Sequence, residues 1–135
     1  MKIQELSVGD IVRYDEDLTP YSIRSVYRTG LSDCVILNDD KNPEGMIAYV
    51  ERLRPILLTE EILRANGLKD VDENDDRTTF LCCDDFHAKR HAEGSGWSVG
   101  VHSGGTLDVV IGNVIYVHQL QHALTLAGAE MDIKA

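Results

Sequence analysis

The chain has 135 residues, of which 43% are hydrophobic and 27% charged, a composition typical of a globular protein with room for one ordinary domain or two very small ones. Its 23 acidic residues outnumber 13 Lys and Arg, and the resulting formal charge of −10 repels phosphate backbones, which argues against general nucleic-acid binding. The same negative charge would suit a basic protein partner.

Apolar runs, the first residues and the cysteines bear on the cellular location of the protein. No run of about 18 apolar residues is present, so we expect no membrane-spanning helix. The first residues, MKIQELSVGD, lack an apolar signal core and are typical of a cytoplasmic protein. Cys34, Cys82 and Cys83 form no C-x-x-C pattern, and reduced thiols in the cytoplasm are the simplest interpretation.

The first 57 residues are predicted to form a separate small β-domain, either an SH3-like barrel or a meander. Short strands are expected at Ile11–Tyr14, Tyr21–Tyr27, Cys34–Leu37 and Met46–Tyr49, with a loop over Asn38–Gly45. Several short strands in so few residues favour a strongly bent sheet. The opening pattern L-x-V-G-D-x-V resembles the small SH3-like barrels, and this resemblance implies nothing about a ligand.

Residues 58–135 are predicted to form an α+β subdomain, an antiparallel sheet packed by a C-terminal helix. A short helix over residues 59–66 begins at Thr59, a favourable N-cap, and a solvated acidic turn over Lys69–Arg77 follows it. Strands within residues 78–115 come next, with turns expected at Gly94-Ser95 and Gly112-Asn113.

The clearest predicted element is a helix over residues 116–127, ended by a left-handed Gly128. Its apolar residues recur at helical spacing and are expected to cover the sheet. The expected helix stripe is Val117, Leu120, Leu124 and Ala127, and the expected sheet face is Trp97, Val99, Val101, Leu107, Val109 and Ile111.

Three segments carry a resemblance to a known family. They are the opening MKIQELSVGDIV, the central PILLTEEIL and the C-terminal IYVHQLQHALTL, in that order. Together they are similar to a family of short uncharacterised bacterial proteins that is often associated with prophages or other mobile elements. This chain departs from the family pattern in two places. It has His122 where the family usually has asparagine, and its glycine-rich Glu93–Gly105 region also differs. The resemblance implies a mobile-element origin and no particular activity.

His87, His91 and His102 are the candidate metal ligands. A hairpin closed about Gly94-Ser95 pairs Ala92 with Trp97 and sets His87 directly opposite His102, with Cβ atoms within about 5.5 Å. Two such imidazoles would share a divalent transition metal such as zinc, or titrate as a coupled pair near neutral pH. The alternative is an exposed polar sheet face beside Lys89.

Other histidines and a cysteine are also candidates for chemistry. His118 and His122 are four residues apart on the C-terminal helix but lack a His-Glu-x-x-His pattern, so partly exposed polar side chains are the simpler interpretation. Cys83 beside a histidine would resemble a nucleophile and its base, yet no third group is apparent. No catalytic residue or cofactor is therefore assigned. Trp97 is expected in the core, with a partner-binding aromatic as the alternative.

Three functional hypotheses follow. The first is a non-enzymatic accessory or interaction protein, whose acidic surface or sheet edge engages a protein partner. The second is a small metal-binding module that uses the histidines. The third is nucleic-acid contact through the N-terminal domain, by way of Arg24, Arg28, Arg52 and Arg54, which the net charge disfavours. Exposed sheet edges are also compatible with a homo-oligomer.

Overall fold

A computed structural model of the chain describes residues 1–28, 32–71, 78–84, 86–91, 96–103, 107–128 and 132–135. For residues 91, 102, 103 and 107–112 it describes the backbone alone. The chain forms two compact units, Met1–Ile56 with the terminal Ala135, and Leu57–Lys134. Each unit contains an antiparallel sheet, and the fold class is α+β as predicted.

The sheet of the first unit has the strand order β4-β3-β2-β1-β5. Its strands are β1 (Ile11–Tyr14), β2 (Tyr21–Tyr27), β3 (Cys34–Asp39), β4 (Asn42–Tyr49) and β5 (Leu53–Pro55). Short 3-10 turns at Ile3–Glu5 and Val50–Arg52 accompany them. The loop predicted over Asn38–Gly45 is shorter than expected, because β4 already begins at Asn42 and pairs with Asp39 across a turn at residues 40–41.

One face of this sheet forms the core of the first unit. Val12, Val35, Leu37, Ala48 and Leu53 are fully buried there. The strands alternate, so these residues share a face whereas their chain neighbours lie on the other. Gly9 lies in the turn that precedes β1 and has a left-handed backbone, with a φ of +93°. This conformation explains the glycine of the V-G-D sequence.

The sheet of the second unit has the strand order β10-β9-β8-β7-β6. Its strands are β6 (Lys69–Asp70), β7 (Thr78–Cys82), β8 (Phe86–His91), β9 (Trp97–Ser103) and β10 (Leu107–Val114), and its helices are α1 (Glu60–Ala65) and α2 (Val117–Leu126). The turn predicted over Lys69–Arg77 is wrong at Lys69–Asp70, which forms β6 and pairs with β7. Its residues 72–77 and the expected turn at Gly94-Ser95 lie outside the described residues. The turn predicted at Gly112-Asn113 is wrong. After an irregularity between Val110 and Gly112, β10 continues, and Asn113 pairs with Ser98.

The helix α2 supplies the second unit with buried leucines. Leu120 is fully buried and Leu124 is 1% exposed, as the helical spacing predicts. Ala127 is wrong as a core residue: it is the exposed C-cap, and Ala123 is buried in its place. Gly128 adopts the expected left-handed conformation, with a φ of +77°. Of the expected sheet partners, Trp97, Val99 and Val101 are buried, and the side chains of residues 107, 109 and 111 lie outside the described part.

The N-cap and C-cap of α1 hold it at both ends. The Thr59 hydroxyl accepts a hydrogen bond from the backbone N–H of Ile62, at 3.3 Å, as predicted. At the other end, the side-chain amide of Asn66 donates to the carbonyl oxygen of Lys134 at 2.7 Å and accepts from its N–H at 2.8 Å. These two bonds, together with the burial of Ile133, attach the last residues of the chain to α1. Within the described residues, no helix is long and apolar enough to cross a membrane.

Candidate interaction surface

The outer face of the first sheet carries exposed apolar side chains. Ile47 is 69% exposed, Tyr27 is 47% exposed and Tyr49 is 46% exposed. The strand register sets Cys34 between Tyr27 and Tyr49, and it pairs Ile36 with Ile47 in the adjacent row. We call this set, Tyr27, Cys34, Ile36, Ile47 and Tyr49, the outer patch.

Most of the outer patch comes from two strand segments that are apolar at every position, Cys34–Leu37 of β3 and Met46–Tyr49 of β4. CVIL in β3 and MIAY in β4 show no polar alternation, so each strand presents an apolar residue to both faces of the sheet. One face is used by the core, through Val35, Leu37 and Ala48. The other remains open, and this unbroken run of apolar residues is the signal that the sequence analysis missed.

The edge strand β4 borders the outer patch. It lies at the end of the sheet and pairs with β3 alone among the described strands. Its first half is poorly suited to a further strand, because Pro43 lacks an N–H and Gly45 is left-handed, with a φ of +82°. Gly45 also packs tightly, since a Cβ there would come within 2.7 Å of both the Cγ2 atom of Ile36 and the carbonyl oxygen of Leu37. The second half, Met46–Tyr49, has neither obstacle.

A cleft of about 360 Å³ lies next to Tyr49 at the end of β4. Its charged side chains are Lys2, Asp33 and Glu51. Its remaining walls come from Met1, Ile3, Gln4, Ser32, Tyr49 and Val50. The outer patch, the Met46–Tyr49 edge and this cleft are therefore contiguous through Tyr49.

The structure does not place His87 opposite His102. His87 pairs with Gly100, and the nearest atoms to a Cβ built at Gly100 are those of the His87 imidazole. His91 pairs with Thr78 and His102 with Asp108 along the backbone, and the side chains of His91 and His102 lie outside the described part. Among the described residues, no group of three His, Cys, Asp or Glu side chains is placed to hold a metal ion.

The two helix histidines differ in exposure: His122 is partly exposed, as predicted, whereas His118 is buried. His118 is only 4% exposed, so the prediction of a partly exposed side chain is wrong for this residue. Its ring stacks on that of Tyr116, with centroids 5.9 Å apart and planes 10° apart, and meets His122 edge-on at 5.8 Å. The side-chain oxygen of Gln119 accepts from the N–H of Tyr116 at 3.1 Å and helps to begin α2. These contacts are those of a packed helix start.

Trp97 is fully buried, as predicted for a core residue, and is not a surface aromatic. Its indole N–H donates to the carbonyl oxygen of Leu58 at 3.2 Å, and the guanidinium of Arg90 lies over its ring at 4.5 Å. Both contacts lie within the second unit. Trp97 is therefore committed to internal packing.

The four arginines of the nucleic-acid hypothesis do not share one environment. Arg24 donates from Nε to the side chain of Asn38 at 2.7 Å and from Nη1 to the carbonyl oxygen of Pro43 at 3.0 Å. Arg52 forms an ion pair with Asp15, and these hydrogen bonds raise the pKa of Arg52. Arg54 donates to backbone carbonyls, and Arg28 is exposed at the end of β2. Arg24 and Arg52 are thus already occupied.

Cys83 has local backbone contacts. Its Sγ atom lies 3.5 Å from the carbonyl oxygen of Phe86, and the Sγ atom of Cys82 lies 3.3 Å from the carbonyl oxygen of Cys83. All three cysteines are free thiols. Neither contact supplies a base, so the geometry adds nothing to a nucleophilic role.

No protein family model matches the chain, and no curated protein or solved structure is significantly similar to it. The resemblance to the mobile-element family therefore stays a prediction from its three sequence segments.

Proposed function

We propose that this chain is a non-enzymatic interaction protein, and that its outer patch and the Met46–Tyr49 edge bind an extended segment of a protein partner. The observation that carries the proposal is the exposure of Tyr27, Ile47 and Tyr49 on one face of the sheet, the last two on its edge strand. Contiguous exposed apolar surface of this kind is uncommon unless a partner covers it. An added strand would hydrogen-bond to the β4 backbone and place alternate side chains on the patch.

The charge of the protein favours a basic partner. The chain carries a formal charge of −10, and Asp33 and Glu51 line the cleft beside Tyr49. A second copy of the chain would bring an equal negative charge to the same surface, which disfavours self-association there. The partner segment is therefore expected to be extended, to carry apolar residues at alternate positions, and to bear at least one Lys or Arg.

For the first unit we further propose an SH3-like barrel. The described sheet is open, with β4 and β5 at its two ends. What supports the proposal is that β1 pairs with both β2 and β5, so the last strand returns to the first. The unit's described residues contain 3-10 turns but no α-helix to cover the buried face of the sheet. A sheet that must shield its own core has to bend around it. The mobile-element origin remains a prediction of the resemblance alone.

The test uses peptides of defined source, selected from a library of random linear dodecapeptides displayed on phage. Selection on the full-length protein should return sequences that alternate apolar residues and contain Lys or Arg. The affinity of a synthetic consensus peptide is then measured by fluorescence polarisation. Ile47→Glu should weaken this affinity at least tenfold, about 1.4 kcal/mol, because it places a charge at the most exposed apolar position of the patch.

Val8→Glu is the matched control. Val8 is also β-branched, lies in the same unit and has the same exposed fraction, 69%, but is in the turn before β1. This substitution should change the affinity less than twofold. Selection that returns no consensus, or equal losses in Ile47→Glu and Val8→Glu, would reject the outer patch as a binding surface.

A further inference from the structure

Two arginines lie opposite each other on β1 and β5, at the end of the first sheet that is farthest from β4. The register of β1 and β5 pairs Arg13 directly with Arg54, so both side chains leave the same face of the sheet. Directly opposed residues in an antiparallel pair have Cβ atoms about 4.5–5.5 Å apart. Like charges at this separation repel one another, and the arrangement is favourable only if something compensates for the repulsion.

Arg13 has a donor that the fold does not use. Its Nε atom is buried and has no hydrogen-bond partner. Burying a guanidinium N–H without an acceptor costs free energy, because the donor loses its water without receiving a replacement. Arg13 as a whole residue is only partly buried, so its side chain borders solvent although its Nε atom does not.

Arg54 is held in place by one of its nitrogens. Its Nη1 atom donates to the carbonyl oxygens of Glu51, at 3.1 Å, and Leu53, at 3.2 Å. The remaining donors, on Nε and Nη2, are not used in these bonds. Among the described residues, neither Arg13 nor Arg54 forms an ion pair with a carboxylate, whereas the nearby Asp15 is taken by Arg52. The pair is therefore a local concentration of positive charge in an acidic protein.

We propose that Arg13 and Arg54 form a binding site for a single oxyanion, either a carboxylate or a phosphate group. An oxyanion between the two guanidinium groups would offset their repulsion and accept the buried Nε–H of Arg13. Guanidinium groups match this task, since their planar donor forks bind carboxylates and phosphates through paired hydrogen bonds. A polyanion is disfavoured by the formal charge of −10. This site is separate from the outer patch.

The test follows the Nε–H resonances of the arginines by NMR spectroscopy in the full-length protein. Inorganic phosphate and acetate are titrated in separate arms at constant ionic strength, with chloride as the balancing anion. The resonance of Arg13 should shift and saturate with at least one of the two anions, and the tighter arm identifies phosphate or carboxylate. An Arg13 resonance that follows only ionic strength in both arms would overturn the proposal.

Three substitutions make the test specific. Arg13→Gln and Arg54→Gln should each weaken anion binding at least tenfold. Arg24→Gln, which removes an exposed arginine already bonded to Asn38 and Pro43, should change it less than twofold. Because Arg13→Gln alters a partly buried side chain, Arg13→Lys is measured as well; it should keep the fold and still lose most of the binding through loss of the planar fork. Equal binding by Arg54→Gln and the unmodified protein, or tighter binding of a dodecanucleotide than of phosphate, would overturn the proposal.

Discussion

The imidazole of His87 lies over Gly100 on the neighbouring strand and occupies the space that a side chain at that position would fill. A Cβ at Gly100 would overlap the Cε1 and Nε2 atoms of the ring. Phe80 flanks the same ring, with centroids 5.3 Å apart and planes 52° apart. His87 is thus packed between a glycine and an aromatic ring.

Substitution of Gly100 should reveal this contact. We expect Gly100→Ala to lower the free energy of unfolding by roughly 1–3 kcal/mol, because the added methyl group overpacks the ring. In a His87→Ala background the same change should cost less, with a coupling of at least about 0.5 kcal/mol between the two sites. Urea unfolding of the four variants of this cycle measures the coupling. Strictly additive effects would show that the ring does not rest on Gly100.

The packing of α2 can be tested with two leucines of the same helix. Leu120 is fully buried, whereas Leu126 is 86% exposed. Leu120→Ala should destabilise the protein by roughly 2–5 kcal/mol, through lost burial and the cavity left behind. Leu126→Ala, which makes the same chemical change on the open face, should stay within about 0.5 kcal/mol. Thermal unfolding compares them, and similar losses in both would mean that the helix is docked by a different face.

Trp97 should link the start of the second unit to its sheet. Trp97→Phe removes the indole donor and leaves the carbonyl oxygen of Leu58 without it, at a cost of about 1–3 kcal/mol if that oxygen stays buried. Arg90→Gln removes the cation above the ring and should cost less, about 0.5–1 kcal/mol. Amide hydrogen exchange at Leu58 should accelerate in Trp97→Phe more than in Arg90→Gln. The reverse order would assign the dominant role to Arg90.

A pH-dependent contact is expected at the start of β2. The backbone N–H of Thr19 and then the hydroxyl of Tyr21, which donates to Asp17 at 2.8 Å, lower the pKa of Asp17. The same contact raises the pKa of Tyr21. Tyr21→Phe should therefore raise the pKa of Asp17, yet leave it below its ordinary value because the Thr19 N–H remains. Carboxyl NMR titration of both proteins measures this shift.

The sign of the stability effect follows from these shifts. A carboxylate whose pKa is lowered by folding stabilises the protein above its unfolded pKa, and this contribution disappears as the pH falls through the folded pKa. A tyrosine whose pKa is raised contributes below its unfolded pKa and loses the contribution as the pH rises through the folded value. The stability difference between the unmodified protein and Tyr21→Phe should accordingly be greatest between these two limits. A difference that grows in acid would contradict the Asp17–Tyr21 bond.

Local patterns in the chain were enough to predict the elements that depend on near neighbours. The alternation in Tyr21–Tyr27 matches β2, Thr59 caps α1, and helical spacing identifies Leu120 and Leu124 as buried. Glycine and capping preferences act over a few residues, so the sequence carries them directly.

Strand register and exposure depend on the tertiary structure. A register slip of one residue exchanges the two faces of a strand. The partner of Ala88, however, was predicted as Val101 and is Val99, which is a slip of two residues. Such a slip leaves every side chain on its original face. The apolar pattern therefore could not exclude the wrong pairing that joined His87 to His102. Likewise, Ile47 and Leu37 are both apolar. Only the folded sheet decides that Leu37 is fully buried and that Ile47 is exposed.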